Sequence, residues 1–287
     1  MKKSPTPIEA SPKSSALNSP FRYPGGKFYA RGLILPLLHP HSHYMEPFCG
    51  GASIFFAKDK SEENHLNDID VELINTLTII RDMPEKLISR LAGEIATKER
   101  HAYYKNEYKP RSELSRAVRW YYLNRTSYSG IMKSVNCFFG YGDKFSMRPE
   151  NWPRSIRATS AKLQGVKLSS LDFVDVINEA PDGSLLFIDP PYYLADQSKF
   201  YTHSFSLEDH QRLERCLYAN RKRIRFMLTY DDCAEVRDLY SWCTEINEAE
   251  WNYTVARTDD QKTKVQRKGS RSRGKELFIF NYDPARL

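Results

Sequence analysis

Short apolar runs bounded by turn residues recur along the chain, and between them lie stretches whose apolar positions return every three or four residues. The first pattern reads as buried strands and the second as amphipathic helices. Strands are predicted from His43 to Glu46, Asn64 to Asn67, Gly165 to Ser169, Ser184 to Ile188, Ile224 to Thr229 and Glu276 to Tyr282. Helices are predicted from Gly51 to Lys60, from Asp70 onward, from Leu207 to Arg221 and from Cys233 to Tyr240. A strand followed by a helix, repeated, argues for an α/β fold with a mostly parallel sheet.

The pattern changes between about residues 73 and 165. Met83 to Ile95 and Leu114 to Leu123 carry a helical period. Ser127 to Arg148 holds Gly130, Gly140 and Gly142 among β-formers, which suits a hairpin or a long loop. One sheet domain is therefore expected to be interrupted by a helical and hairpin insertion. Residues 1–20 are rich in Ser, Pro and Lys, have no apolar core of signal-peptide length, and read as a disordered tail. No stretch approaches the ~20 apolar residues of a membrane span, so a membrane partner is not expected.

Charge narrows the partner. The 287 residues carry a net charge of +7, and it is unevenly spread. From Lys98 to Lys133 there are nine Lys/Arg against three Glu, with seven Tyr/Trp interleaved, and Lys262 to Lys275 holds seven Lys/Arg and no acid. Basic charge mixed with aromatic faces suits nucleic acid, where stacking adds to phosphate attraction. The five cysteines (Cys49, Cys137, Cys216, Cys233, Cys243) are scattered and form no C-x-x-C pair, which supports neither a disulfide framework nor a zinc site and fits a reducing cytoplasm. His39, His41 and His43 alternate without a partnering acid or cysteine, so no metal site is assigned.

The chemistry concentrates at Asp189-Pro190-Pro191-Tyr192, entered from the apolar run Leu185 to Ile188. A carboxylate, a carbonyl whose direction is restricted by proline and an aromatic face together describe a pocket for a planar amine such as that of a nucleobase. Upstream, Glu46-Pro47-Phe48-Cys49-Gly50-Gly51-Ala52-Ser53 follows a strand and opens a helix, where small residues let backbone approach a ligand. It lacks the G-x-G-x-x-G dinucleotide pattern, and Phe21 to Phe28 lacks the residues of a Walker A loop. Asp68 ends the next strand, where an acid accepts ribose hydroxyls; taken alone it equally suits a helix cap. An adenosine-containing cofactor with a carboxylate and no pyrophosphate fingerprint points to S-adenosyl-L-methionine.

Five segments in order carry a resemblance: Tyr23-Pro24-Gly25-Gly26-Lys27, Glu46 to Ser53, Asn67-Asp68, Leu123 to Gly130, and Asp189 to Tyr192. From Phe21 to Tyr282 the chain resembles the DNA adenine methyltransferase family. The resemblance implies a Rossmann-like methyltransferase sheet, with residues 21–72 and 166–287 forming the catalytic domain and residues 73–165 a target-recognition insert. It implies site-specific methylation of the N6 amine of a flipped adenine in double-stranded DNA, with S-adenosyl-L-methionine as donor and no metal. By position, the implied cofactor-binding residues are Tyr23, Gly25, Gly26, Lys27, Glu46, Pro47, Phe48, Gly50, Gly51, Asp68, Ile69 and Asp189. Asp189, Pro190, Pro191 and Tyr192 are implied catalytic residues, and Arg125, Tyr128, Ser129, Ile131, Lys133 and Asn136 implied DNA contacts, with Tyr128 as the wedge.

Two positions depart from the family pattern. Ala52 stands where many members have glycine. Lys133 stands where GATC-specific members have arginine, and losing that bidentate fork leaves the target sequence open. Also open are a cognate restriction endonuclease partner and the rival readings: cytosine N4 methylation, adenine methylation in RNA, or a catalytically silent nucleic-acid-binding relative. The expected working form is a cytoplasmic monomer. The run Lys199 to Phe205 reads either as a cover for the extruded base or as an ordinary loop, and Lys262 to Lys275 as a phosphate-binding loop.

Overall fold

A computed structural model describes residues 16–142, 146–194, 205–252 and 273–286. Its centre is a seven-stranded sheet in the order β3-β2-β1-β4-β5-β7-β6. The strands are β1 (His43–Glu46), β2 (Glu63–Asn67), β3 (Lys167–Ser169), β4 (Leu185–Ile188), β5 (Arg225–Asp231), β6 (Glu245–Asn252) and β7 (Arg273–Phe280). The pairings among β1 to β5 are parallel, and β7 runs antiparallel to both β5 and β6. All six predicted strands are present. The unpredicted one, β6, reads Glu-Ile-Asn-Glu-Ala-Glu-Trp-Asn, whose acids hide a strand that pairs on one side only.

Alternation along the strands divides the core in two. Leu185 and Phe187 of β4, Met227 of β5, and Phe278 and Phe280 of β7 pack on one face; Leu186, Ile188, Phe226, Leu228, Leu277 and Ile279 pack on the other. Both faces are buried because side chains of a strand point alternately to either side, and β4 is apolar at all four positions. The second face is covered by the helices Phe173–Asn178, Leu207–Asn220 and Ala234–Leu239.

The first face is joined by helices that the chain forms between β2 and β3. Val71–Asp82 starts at the Asp70 cap, whose carboxylate accepts from the Glu72 and Leu73 N–H groups. It is followed by Pro84–Leu91, Lys98–Ala102, Glu113–Thr126 and Trp152–Leu163. Glu113–Thr126 is capped by a reciprocal pair between Ser112 and Ser115, and Tyr121 and Tyr122 pack edge-on against Trp152. The region expected as a hairpin or loop is a loop among the described residues, with two short 3-10 turns, Tyr128–Gly130 and Ser134–Asn136, and one antiparallel bridge between Ser127 and Phe139.

The helix expected from Gly51 to Lys60 is only Ser53–Ala57: Gly50 and Ala52 have left-handed backbone, with φ of 45° and 49°, which delays its start, and Lys58 is extended, which ends it. Of the segment expected as a tail, residues 1–15 lie outside the described residues. The remainder is attached: Leu17 N–H donates to Phe56 O at 3.1 Å, and Pro20 O accepts from Arg125. No described helix is long and apolar enough to cross a membrane, and the five cysteines are free thiols.

Candidate active site

The chain reverses its direction of travel across the sheet between β1 and β4, and a crevice opens there at the carboxyl ends of the parallel strands. Strand endings place acids side by side along this edge. Asp68 follows β2, Glu46 ends β1, Asp189 follows β4 and Asp231 ends β5. Glu276 of antiparallel β7 sits in register with Asp231.

A cavity of about 270 Å³ fills the crevice. Every residue assigned from sequence to the cofactor or to catalysis lines it, except Pro47. Pro47 instead fixes the loop from behind, its carbonyl accepting from Asn67 Nδ2 at 2.9 Å. Ala52, Phe187 and Phe205 complete parts of the wall. Tyr23 lies so close to Gly50 that a Cβ there would come within 2.8 Å of its ring, and φ at Gly50 is also one that favours glycine. Asp68 organises the same loop: Gly50 N–H donates to one carboxylate oxygen at 2.8 Å and Asp70 N–H to the other at 3.0 Å. Asp70, not Asp68, therefore caps the helix. Ala52 is unusual for its backbone, not for its size, since a left-handed φ disfavours any side chain.

Asp189 is the meeting point of the site. Its Oδ1 accepts from Lys27 Nζ at 2.6 Å and from Thr229 Oγ1 at 2.7 Å. Lys27 Nζ also donates to Gly25 O at 3.1 Å and lies 4.9 Å from the centroid of the Tyr192 ring. Tyr192 OH donates to Glu276 Oε2, and Asp231 accepts from the N–H groups of Tyr193 and Leu194 at 2.9 and 2.7 Å. The segment after Pro191 is thus held to the end of β5 and the middle of β7. Burial pushes the carboxyls of Glu46 and Glu276 up to about 8, from the usual 4.5. At Glu46, hydrogen bonds from Tyr44 and Phe55 oppose that rise; at Glu276, the Lys27 charge opposes it. Burial thus favours the protonated form of both carboxyls.

None of the residues assigned to DNA lines this cavity. Tyr128 is exposed at 43%, close in sequence to Val135 at 67% and Phe138 at 60%, and Lys105 lies over the Phe138 ring. Ser129 has a left-handed φ of 52°, Lys133 and Asn136 are half-buried, and Ile131 is buried. Arg125 corrects the expectation from sequence: it is buried, donates to Pro20 O at 3.2 Å, and desolvation lowers its pKa. Its helix turns it toward the N-terminal segment and away from solvent.

Glu276, Thr229 and Asp231 were missed by the sequence reading. Only the isolated acid in Lys275-Glu276-Leu277-Phe278, polar within an apolar strand, offered a signal. Among the described residues no His, Cys, Asp or Glu cluster is arranged to hold a metal. His41 and His43 instead meet the His39 carbonyl and Glu63. Lys199 to Ser204 and Lys262 to Ser272 lie outside the described residues.

A family model described as D12 class N6 adenine-specific DNA methyltransferase matches residues 23–255. The chain is 28% identical over 258 residues to the Type II methyltransferase M1.LlaDCHI of Lactococcus lactis subsp. cremoris, covering 84% of this chain and 87% of that protein. It is 28% identical over 249 residues to the DNA N-6-adenine-methyltransferase of Escherichia phage P1, covering 81% of this chain and 32% of that larger protein. The DNA adenine methylase of Escherichia coli K12 is 26% identical over 208 residues, covering 67% of this chain and 72% of that one.

Proposed function

Because the chain belongs to the D12 class N6 adenine-specific DNA methyltransferase family, its reaction is methylation of adenine N6 in DNA, and we propose that the cavity at the β1/β4 switch performs it with S-adenosylmethionine as donor. The observation that carries this reading is the convergence of Lys27, Glu46, Gly50, Asp68, Asp189 and Tyr192 on one cavity.

The lining suits an adenosyl amino acid. Phe48, Ile69 and Phe205 offer apolar and aromatic walls for a purine ring, and the Asp68 carboxylate stands in the same wall as the acceptor for a ribose hydroxyl. Gly25, Gly26, Gly50 and Gly51 let backbone approach the amino-acid end. When bound, the sulfonium supplies an already activated methyl group, so the protein's task is alignment.

An adenine amine inside a duplex is stacked and paired, and rotating the nucleotide out costs about a few kcal/mol. Tyr128 is the wedge in this reading, supported by its exposure and by its N–H bond to the carbonyl of the also exposed Phe138. The flipped amine donates to the Asp189 carboxylate and the Pro190 carbonyl, with the base against Tyr192. Two acceptors on one amine favour the pyramidal nitrogen, whose lone pair is released from the ring for in-line attack. Asp189 is an orienting acceptor, the methylated nitrogen releases one of its protons after transfer while the sulfonium leaves as a neutral thioether, and no covalent enzyme intermediate is involved. All groups required come from one chain, which supports a monomer as the acting unit. The Type II name of the Lactococcus lactis relative supports a restriction–modification setting.

The test is expression in a host without adenine methylation. Modified bases are mapped by long-read sequencing, and digested DNA is analysed for N6-methyladenine. A defined adenine-containing site is expected; N4-methylcytosine, methylated RNA alone or no modified base overturns the reading. Labelled S-adenosylmethionine with purified protein tests the donor.

A further inference from the structure

We propose that Phe138 is a second stacking ring for base extrusion: it enters the DNA stack beside Tyr128 and helps hold the duplex open while the target adenine is outside it. The inference rests on the reading of Tyr128 as the wedge.

Backbone pairing in the loop after the helix Glu113–Thr126 puts the two rings side by side. Ser127 and Phe139 form its antiparallel bridge. On either side of the bridge, Tyr128 N–H donates to Phe138 O at 2.8 Å and Gly140 N–H donates to Thr126 O at 2.9 Å. Tyr128 therefore stands directly opposite Phe138, and residues opposed across an antiparallel pair project from the same face. Burial follows the alternation: Ser127 and Cys137 are buried, whereas Tyr128 and Phe138 are 43% and 60% exposed. Gly140 permits so close a crossing, since a Cβ there would come within 2.3 Å of Tyr128 Cα.

One exposed aromatic is ordinary; two fixed on one face by hydrogen-bonded backbone make a surface for stacking. The adjoining charge selects nucleic acid as its partner. Lys105 Nζ lies 5.1 Å from the centroid of the Phe138 ring, a cation placed to meet a phosphate next to a stacked base. A π-turn, Tyr103–Glu107, presents this lysine, and its Tyr104 and Lys105 carbonyls accept from Arg119 at 2.8 and 3.0 Å. Ring and cation thus sit on backbone that is already ordered, so little freedom is lost on meeting a duplex. Extrusion costs unstacking and unpairing together, and the stacking of one aromatic ring on a base is of the same order as that cost. A second ring moves the balance from near even toward the open duplex.

The experiment is single-turnover methylation, with labelled S-adenosylmethionine, of a duplex carrying the mapped site. The target adenine is placed opposite thymine or opposite an abasic site, where no pairing opposes extrusion. Phe138→Ala is expected to slow the paired duplex about tenfold and the abasic duplex less than about twofold. Phe138→Tyr should keep the wild-type rate, and the mapped sequence should not change. A wild-type rate for Phe138→Ala on the paired duplex, equal slowing on both duplexes, or a Phe138→Tyr as slow as Phe138→Ala overturns the proposal. So does a relaxed target sequence, which would make Phe138 a reader of bases. Should Phe138→Ala fold poorly, Phe138→Leu, which keeps apolar bulk without an aromatic face, carries the same expectations. Tyr128→Ala in the same assay separates the underlying reading: a wild-type rate there removes the wedge itself, whereas slowing by Tyr128→Ala with none by Phe138→Ala sinks only this inference.

Discussion

Glu46→Gln is expected to stabilise the protein, and increasingly so as pH rises. Glu46 is buried at the end of β1, where its Oε1 accepts from Tyr44 OH and Phe55 N–H, both at 2.8 Å. An amide oxygen keeps both bonds, so the substitution removes ionisation with little else. The carboxyl titrates at about 8 in the fold and near 4.5 when unfolded. Between those values the folded chain keeps a proton that the unfolded chain has released, so raising pH favours unfolding. Stability from this group is complete below about 4.5, falls by about 1.4 kcal/mol per pH unit, and is lost above about 8. The deficit is then roughly 3 kcal/mol at pH 7 and 4–5 kcal/mol at pH 8 and above. Glu276 tilts the profile the same way, while burial of His65, held down to about 4, tilts it oppositely below 6.5. Subtracting the variant's urea-unfolding free energy from that of wild type at pH 5, 6, 7 and 8 cancels both. Differences widening by about 1.4 kcal/mol per pH unit are expected; parallel profiles would refute an uncharged Glu46.

Three further outcomes are expected. Thr229→Val keeps shape but removes the 2.7 Å donor to Asp189; loss of a hydrogen bond to a charged group, about 1.5–3 kcal/mol, should slow single-turnover methylation about tenfold or more, as rapid-quench assays would show. Gly130→Ala puts a Cβ into the Arg22 carbonyl at a φ of 72°, so a loss of at least about 2 kcal/mol is expected by thermal melting. Tyr128→Ala, at an exposed position, should leave stability within about 0.5 kcal/mol while abolishing the fluorescence rise of 2-aminopurine placed at the target base; an unchanged rise would remove Tyr128 from the wedge role.

Much of the site was legible because its residues are contiguous. Asp189 to Tyr192 and Glu46 to Ala52 each leave an apolar strand, and strand ends at a switch point must face the crevice. Glu276 and Thr229 were not legible, since each gains its role from a strand pairing with no local mark: Thr229 stands beside Asp189 because β5 lies next to β4. Arg125 misled as well. The resemblance placed it among the DNA contacts, but the whole last stretch of its helix, Trp120 to Thr126, is buried, and Arg125 donates to Pro20 O within it; burial on every side leaves no local mark in a run as polar as Asn124-Arg125-Thr126.

The N-terminal segment has a consequence for how such a chain can be recombined. Arg22 and Asn124 exchange two hydrogen bonds, Arg22 N–H to Asn124 Oδ1 at 3.0 Å and Asn124 Nδ2 to Arg22 O at 2.8 Å, and Arg22 Nη1 reaches Ser127 O. Five residues later, Lys27 grips Asp189. Residues 20–27 are therefore a splint, fastened at one end to the helix Glu113–Thr126 and at the other to the Asp189 carboxylate. Exchange of the helices between β2 and β3 among relatives would break these contacts, and the grafted helices would have to travel with their own copy of residues 20–27 to remain in mesh with the sheet.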